Sequence, residues 1–326
     1  MFLTLLSVAL SARLSFAAPN GTATADGYEI TVAAGDADVT LNSDDITALG
    51  ASTTLIKKGK GRLIIDSNLA SAGWDGEIRI EAGYLRAYTV PGGTLGGTTK
   101  GTFITAGASL EAHDTSTSYG EKFAKEPLTM GGSGVDGCGA LYCSRNGSST
   151  QGMFGQSPVT LTSDTVIGYV GSESFGGNMG FRNGNSAGKK FTMNGYSLTF
   201  QGPSTCGLYN EVVDKPGDIY VGSTGNFTIE NNSSIGGDST KLMQFTANAR
   251  LTTQNQGRPQ FNRSFKSLGA MSFTCSNGQS WTGNPGWNGP MELGGTLTLT
   301  SVTHPSSSRG RFRARVAFRF QRRRPS

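Results

Sequence analysis

The sequence predicts an all-β chain wound as a parallel solenoid, and three observations carry that prediction. Short runs of alternating apolar and polar residues recur along most of the chain, about 8 to 25 residues apart. Glycine supplies 48 of 326 residues, about twice the usual share, and only 16% of residues are charged. The stretch Leu55 to Leu85 forms one small unit in which glycines sit beside short apolar strands as tight corners. A unit of that size cannot bury its own apolar face and needs neighbours of the same kind. The glycines follow no Gly-X-Y period, which excludes collagen. The alternating triplets argue against a disordered chain.

The chain opens with the apolar run Phe2 to Leu10, and Ser15-Phe16-Ala17 has the small-x-small form of a cleavage site. Residues 1–18 read as a secretory signal peptide, which points to a secreted or cell-surface protein. No other apolar run is long enough to span a membrane as a helix. Tyr28 to Val32 and Asp38 to Leu41 alternate as strands, with Ile46 and Leu49 expected in a third, so Gly27 to Leu49 forms the first turn or cap.

The central unit follows. Ile78 and Ile80 are expected to point inward, and Glu77, Arg79 and Glu81 outward. Gly59, Gly61, Leu63, Ile65, Trp74, Gly76, Ile78, Ile80, Gly83 and Leu85 form a Gly-x-Gly-x-Leu step, an aromatic-x-Gly step and a strand ending in Gly-x-Leu. This pattern resembles the passenger-associated repeat of bacterial autotransporters, with Trp74-Asp75-Gly76 where that family usually has Tyr-Thr-Gly. One clear copy covers about a tenth of the chain. The resemblance implies a right-handed parallel β-helix, with coils of about 20 to 30 residues as is usual for such solenoids. It transfers no catalytic residue.

Beyond Leu85, the segment Thr102 to Leu110 has the shape of another coil. Residues 111–156 hold charges, His113 and many turn formers. They read either as an irregular insertion in a solenoid spanning 19–304, or as weak strands. Strands return at Val159 to Leu161, Thr165 to Ile167, Phe191 to Met193 and Tyr196 to Phe200. Asn194-Gly195 between the last two suits a solenoid corner. Further strands are expected at Ile219, Phe227, Met243, Met271 and Gly294 to Thr300.

From Pro305 the composition changes. Residues 309–326 hold eight arginines and no acid, and removing them takes the net charge from +5 to −3. The basic balance belongs to this tail, read here as a disordered extension, and nucleic acid is not expected as a partner.

Cys138, Cys143, Cys206 and Cys275 are candidates for disulfides in an oxidising compartment. Cys138 with Cys143, and Cys206 with Cys275, form one of three connectivities. The spacing does not suit zinc, and no metal or cofactor is expected. His113 and His304 are the only histidines. Asp164, Glu173, Glu211 and Asp214 are the candidate carboxylates for an acid/base pair, but nothing in the sequence brings two of them together. The expectation is therefore a secreted or surface-displayed, adhesin-like structural protein without catalytic activity, with surface glycans or extracellular polymers as partners. The rival is a polysaccharide lyase or glycoside hydrolase on the same scaffold.

Overall fold

The computed structural model describes residues 18–302, except 51, 67–68, 70–72, 90–94, 97, 115–120, 123–125, 146–151, 156–157, 170–178, 183–189, 203–205, 210–212, 223–225, 231–234, 236–237, 255–259, 277–285 and 288. The signal-peptide segment and the arginine-rich tail lie outside the described residues. Alternation of apolar and polar residues here produces strands of two to eleven residues, and each pairs in parallel with the equivalent strand one coil away. Among the described residues only Thr22–Ala23 against Tyr28–Thr31 is antiparallel. The fold is a parallel β-solenoid.

Its interior is a set of ladders in which each apolar side chain stacks on one in the next coil, about 4.8 Å away. On the first face, Tyr28, Leu55, Ile78, Thr102, Leu128, Val159, Phe191 and Val213 are in register. On the second, the ladder runs Val39, Leu63, Leu85, Leu110, Leu141, Ile167, Phe200, Val221, Phe245, Ser267, Leu293. The third face aligns Met179, Cys206, Phe227, Leu251, Phe273 and Leu299. The spacing along the second ladder is 21 to 33 residues, so two coils exceed the expected repeat. Ile78 and Ile80 are fully buried, with Arg79 between them exposed, as the alternation requires.

The corners explain the glycines. Gly59 and Gly83 have φ of +73° and +68°, which a side chain rarely adopts. They also stack: a Cβ on Gly83 would lie 2.5 Å from the Gly59 carbonyl oxygen. The Trp74 ring leaves no room for a side chain on Gly76, while its indole N–H donates to the Ser52 carbonyl at 2.9 Å. Asn194-Gly195 is a corner and not a hairpin. Phe191–Thr192 and Leu198–Phe200 pair with the coils on either side, not with each other.

Two expectations are corrected. Residues 43–49 form a helix and not a strand. Asn42 Oδ1 accepts from the N–H groups of Asp44 and Asp45, both at 2.9 Å, and Asp45 Oδ2 accepts from the Asn42 N–H at 2.9 Å. That reciprocal cap fixes the first turn, and Ile46 and Leu49 are spaced for one helical face. Residues 111–156 are not an insertion. Glu121–Lys122, Leu128–Gly132, Leu141–Arg145 and Gly152–Gly155 all join the sheets. Their apolar residues are few and scattered among glycines and polar residues, and pairing with adjacent coils holds them as strands.

The two ends differ. At the first coil, Thr22–Ala23 covers the edge of Tyr28–Thr31, and Asp45 accepts from the Tyr28 hydroxyl, the Asn20 N–H and the Asn20 amide, each at 2.6 Å. Tyr28 and Ile30 are therefore 1% exposed although they sit at the end of the ladder. At the last coil, Met291 continues the buried ladder Leu198, Ile219, Met243, Phe265 but is 41% exposed.

Among the described residues, the buried side chains of Lys57, Glu126 and Arg263 join neighbouring coils through backbone groups. Lys57 stands in the inward ladder between Ile30 and Ile80. Its ammonium donates to the carbonyls of Lys58, Gly59 and Ala82 at 2.8, 2.7 and 2.9 Å, and burial pushes its pKa down to about 8. Glu126 accepts from the Leu95 and Gly96 N–H groups and from the Thr102 hydroxyl, with burial raising its pKa. Arg263 donates to the carbonyls of Ile235 at 2.7 Å and Gly217 at 2.5 Å.

Candidate functional site

The densest group of titratable side chains among the described residues lies on the outer side of the second face. It is assembled from the strands Arg62–Ile65, Gly83–Thr89, Ala108–Asp114 and Leu141–Arg145. Inward Leu63, Leu85, Leu110 and Leu141 fix the register, so the residues between them must face out. Parallel pairing then sets Arg86, Glu111 and Tyr142 side by side on three successive coils, with Arg62 beside Tyr84 and His113 between Tyr88 and Ser144.

Glu111 is the centre. Its side chain is 1% exposed, and its carboxylate meets Arg86 Nη2 at 2.8 Å, Arg86 Nε at 2.9 Å and Arg62 Nε at 3.1 Å. The Arg62 contact is an ion pair without hydrogen-bond alignment. The Ser144 hydroxyl also donates to Glu111. Burial works to raise the carboxyl pKa, but the hydrogen bonds from Arg86 and Ser144 and the charges of both arginines outweigh it and hold it below the ordinary carboxylate range. Arg62 extends to Asp38 at 3.3 Å and lies 5.0 Å over the Tyr84 ring. Tyr84 meets Tyr142 edge-on, and Tyr88 meets His113 in the same way at 4.9 Å.

This geometry constrains the chemistry. His113 Nδ1 is 2.8 Å from Ser144 Oγ. Because that hydroxyl gives its proton to Glu111, it must accept from a protonated Nδ1, so His113 is not placed as a base for Ser144. Glu111 is buried and ionised, and proton donation to a substrate would need a carboxyl of raised pKa. The half-buried Arg62, Tyr84, Arg86 and Tyr88 are what the face offers to solvent: oriented guanidinium donors beside aromatic rings. Such a surface suits hydrogen bonding and stacking with a polar polymer.

Of the carboxylates singled out from sequence, Asp164 accepts from the Ser197 N–H at 2.8 Å, which ties one corner to the next coil. Asp214 lies 3.9 Å from Lys190 at a half-exposed position. Glu173, Glu211 and His304 lie outside the described residues. Asp218, which sequence reading passed over, ties coils as Asp164 does, through the Leu242 N–H at 2.8 Å. Glu111 was missed because its partners lie about 25 to 50 residues away in sequence, and its only local signal is a charge alternating with Leu110 and Ala112.

Of the pairings considered from sequence, the register excludes Cys206 with Cys275, while Cys138 has its Sγ 3.6 Å from Ser109 Oγ. Cys206 and Cys275 share the third face but stand three strands apart, Cys206 in register with Phe227 and Cys275 with Thr253. That separation is roughly 14 Å, twice the reach of a disulfide between Cα atoms. No helix among the described residues is long and apolar enough to cross a membrane, and no three His, Cys, Asp or Glu side chains among them are grouped to hold a metal ion.

Of the ten residues of the repeat pattern, Leu63, Ile65, Ile78, Ile80 and Leu85 are buried in consecutive coils, and Gly59 and Gly83 stand at corners. The chain matches no family model, no curated protein and no solved structure, so the sequence and the coordinates together establish a parallel β-solenoid and no family beyond it.

Proposed function

We propose that this chain is a secreted or surface-displayed structural protein of the autotransporter-passenger kind. In this reading the solenoid gives length, and the outer second face binds a polar polymer such as a surface glycan. The observation that carries this is the array Arg62, Tyr84, Arg86 and Tyr88, set in register over the buried Glu111. The buried carboxylate orients both guanidinium groups, so a ligand meets donors whose ordering has already been supplied by folding. Export rests on the sequence of residues 1–18.

Retention of the purified chain on a panel of acidic and neutral polysaccharides tests the reading. Arg86→Ala and Tyr88→Ala should each lower retention without changing the far-ultraviolet spectrum. Unchanged retention in both variants would remove the site. Release of reducing or unsaturated ends from any polysaccharide would favour the hydrolase or lyase reading instead.

A further inference from the structure

The outer second face has a wall on one side. Residues 133–139 leave the strand Leu128–Gly132 and arch over the face before Leu141–Arg145 begins. Ser109, in register with Tyr84 one coil away, holds this arch from below. Its hydroxyl accepts from the Val135 N–H at 2.9 Å and donates to the Gly139 carbonyl at 2.8 Å. The Gln201 amide donates to the Gly137 carbonyl at 2.6 Å. Asp136 is exposed in the middle of the Val135–Gly137 turn, with φ of +49°, a left-handed backbone that aspartate tolerates better than most residues. Burial, and then the charges of Cys138 and Asp136, push the Tyr84 phenol up, so Tyr84 stays a hydroxyl donor beside the arch.

Tyr84, Arg86 and Tyr88 follow at two-residue steps along one strand, so the two tyrosines are rooted about 13 Å apart. A ligand that touches both is an extended chain of several units. The charges on the face are already matched. Four guanidinium nitrogens, Nε and Nη1 of Arg62 and Nε and Nη2 of Arg86, face carboxylates. Arg62 and Arg86 are offset by Asp38, Glu111 and Asp136, and the exposed residues Lys60 and Asp66 add one charge of each sign. The face therefore has no positive excess with which to draw an anionic chain.

Resting on the reading that this face binds a polymer, we propose that the polymer is an uncharged polysaccharide, lying along the Tyr84–Arg86–Tyr88 row with Asp136 accepting from its hydroxyl groups. The tyrosine rings cover the apolar faces of sugar units, and the guanidinium and carboxylate groups form charge-assisted hydrogen bonds with the hydroxyls.

Equilibrium binding of the full chain to immobilised polysaccharides tests this, with dextran, a β-1,3-glucan and a galactomannan as uncharged probes and alginate, hyaluronate and heparin as anionic ones. The difference in binding between the native chain and Arg86→Ala isolates this face from the arginine-rich tail. That difference should appear on at least one uncharged probe and on no anionic one. It should change less than about twofold as sodium chloride rises from about 0.05 to 0.5 M. Asp136→Gly, which suits the same backbone, should weaken it at least about tenfold, and Glu292→Ala at the far end of the solenoid should leave it unchanged. Arg86-dependent binding to an anionic probe, falling steeply with salt, would overturn the proposal while leaving the face as a polymer site. Binding to an uncharged probe that Asp136→Gly does not weaken would also overturn it. No Arg86-dependent binding to any probe would remove the underlying reading as well.

Discussion

Lys57 offers the sharpest test of how the core is held. It occupies an inward position between Ile30 and Ile80, where an ammonium is costly, and three carbonyls accept from it. Replacing it by Met removes the charge and fills the ladder. The Lys58 carbonyl keeps a partner, since it also accepts from the Val32 N–H, but Gly59 and Ala82 lose the ammonium. Two orphaned carbonyls cost about 2–6 kcal/mol, while relief from burying the charge returns about 3 kcal/mol, so stability near pH 7 should change little. The pH dependence separates the two proteins. The folded pKa is lowered to about 8, against an ordinary 10.5. Between those values the unfolded chain holds a proton that the folded chain has released, so this residue raises stability as pH rises through the window. From pH 7 to 10.5 the native protein should gain about 3 kcal/mol relative to Lys57→Met. Urea denaturation of both proteins across that range measures the gain. Stability curves that stay parallel would refute the reasoning, and would mean that the carbonyls fully compensate the ammonium for lost water.

Other outcomes follow from the same geometry. Ile80→Ala should cost about 2–5 kcal/mol by urea denaturation, and Arg79→Ala under about 0.5 kcal/mol, because only the first opens a cavity in the ladder. Glu111→Ala strands two arginines and should cost about 3–5 kcal/mol at neutral pH. In the native protein the Glu111 contribution is present above the ordinary carboxylate range and is lost as pH falls through its depressed folded pKa, which an acid titration followed by tyrosine fluorescence would show. Gly59→Ala should prevent proper folding or lower the melting temperature steeply, since the left-handed backbone is combined with a clash against the Val32 carbonyl. Gly195→Ala, with similar φ but open space around it, should cost only about 1 kcal/mol.

The sequence by itself determined the class of fold and the inward face of its clearest strand. Ile78-Arg79-Ile80 alternates, alternation assigns faces, and a strand of period two admits one inward set. Gly59 and Gly83 were legible as corners because only glycine takes that backbone without strain. The helix Ser43–Leu49 reads as a strand in sequence, because Ile46 and Leu49 are too few to show a helical period, and its reciprocal Asn42–Asp45 cap emerged only in the structure.

Only the tertiary structure decided which polar residues are buried and which of them meet. Lys57, Glu126 and Arg263 resemble any surface charge in sequence. They are interior because a neighbouring coil brings backbone groups to them. Glu111 gathers Arg62, Arg86, Tyr142 and Ser144 because coils of 22, 25 and 31 residues return the chain to the same face. Those unequal lengths hide the repeat from periodicity, yet the hydrogen-bond ladder absorbs them by letting corners grow while the strands stay in line. The same ladder keeps Cys206 and Cys275 apart, since stacking distance is set by the number of strands between them and not by the chain that joins them.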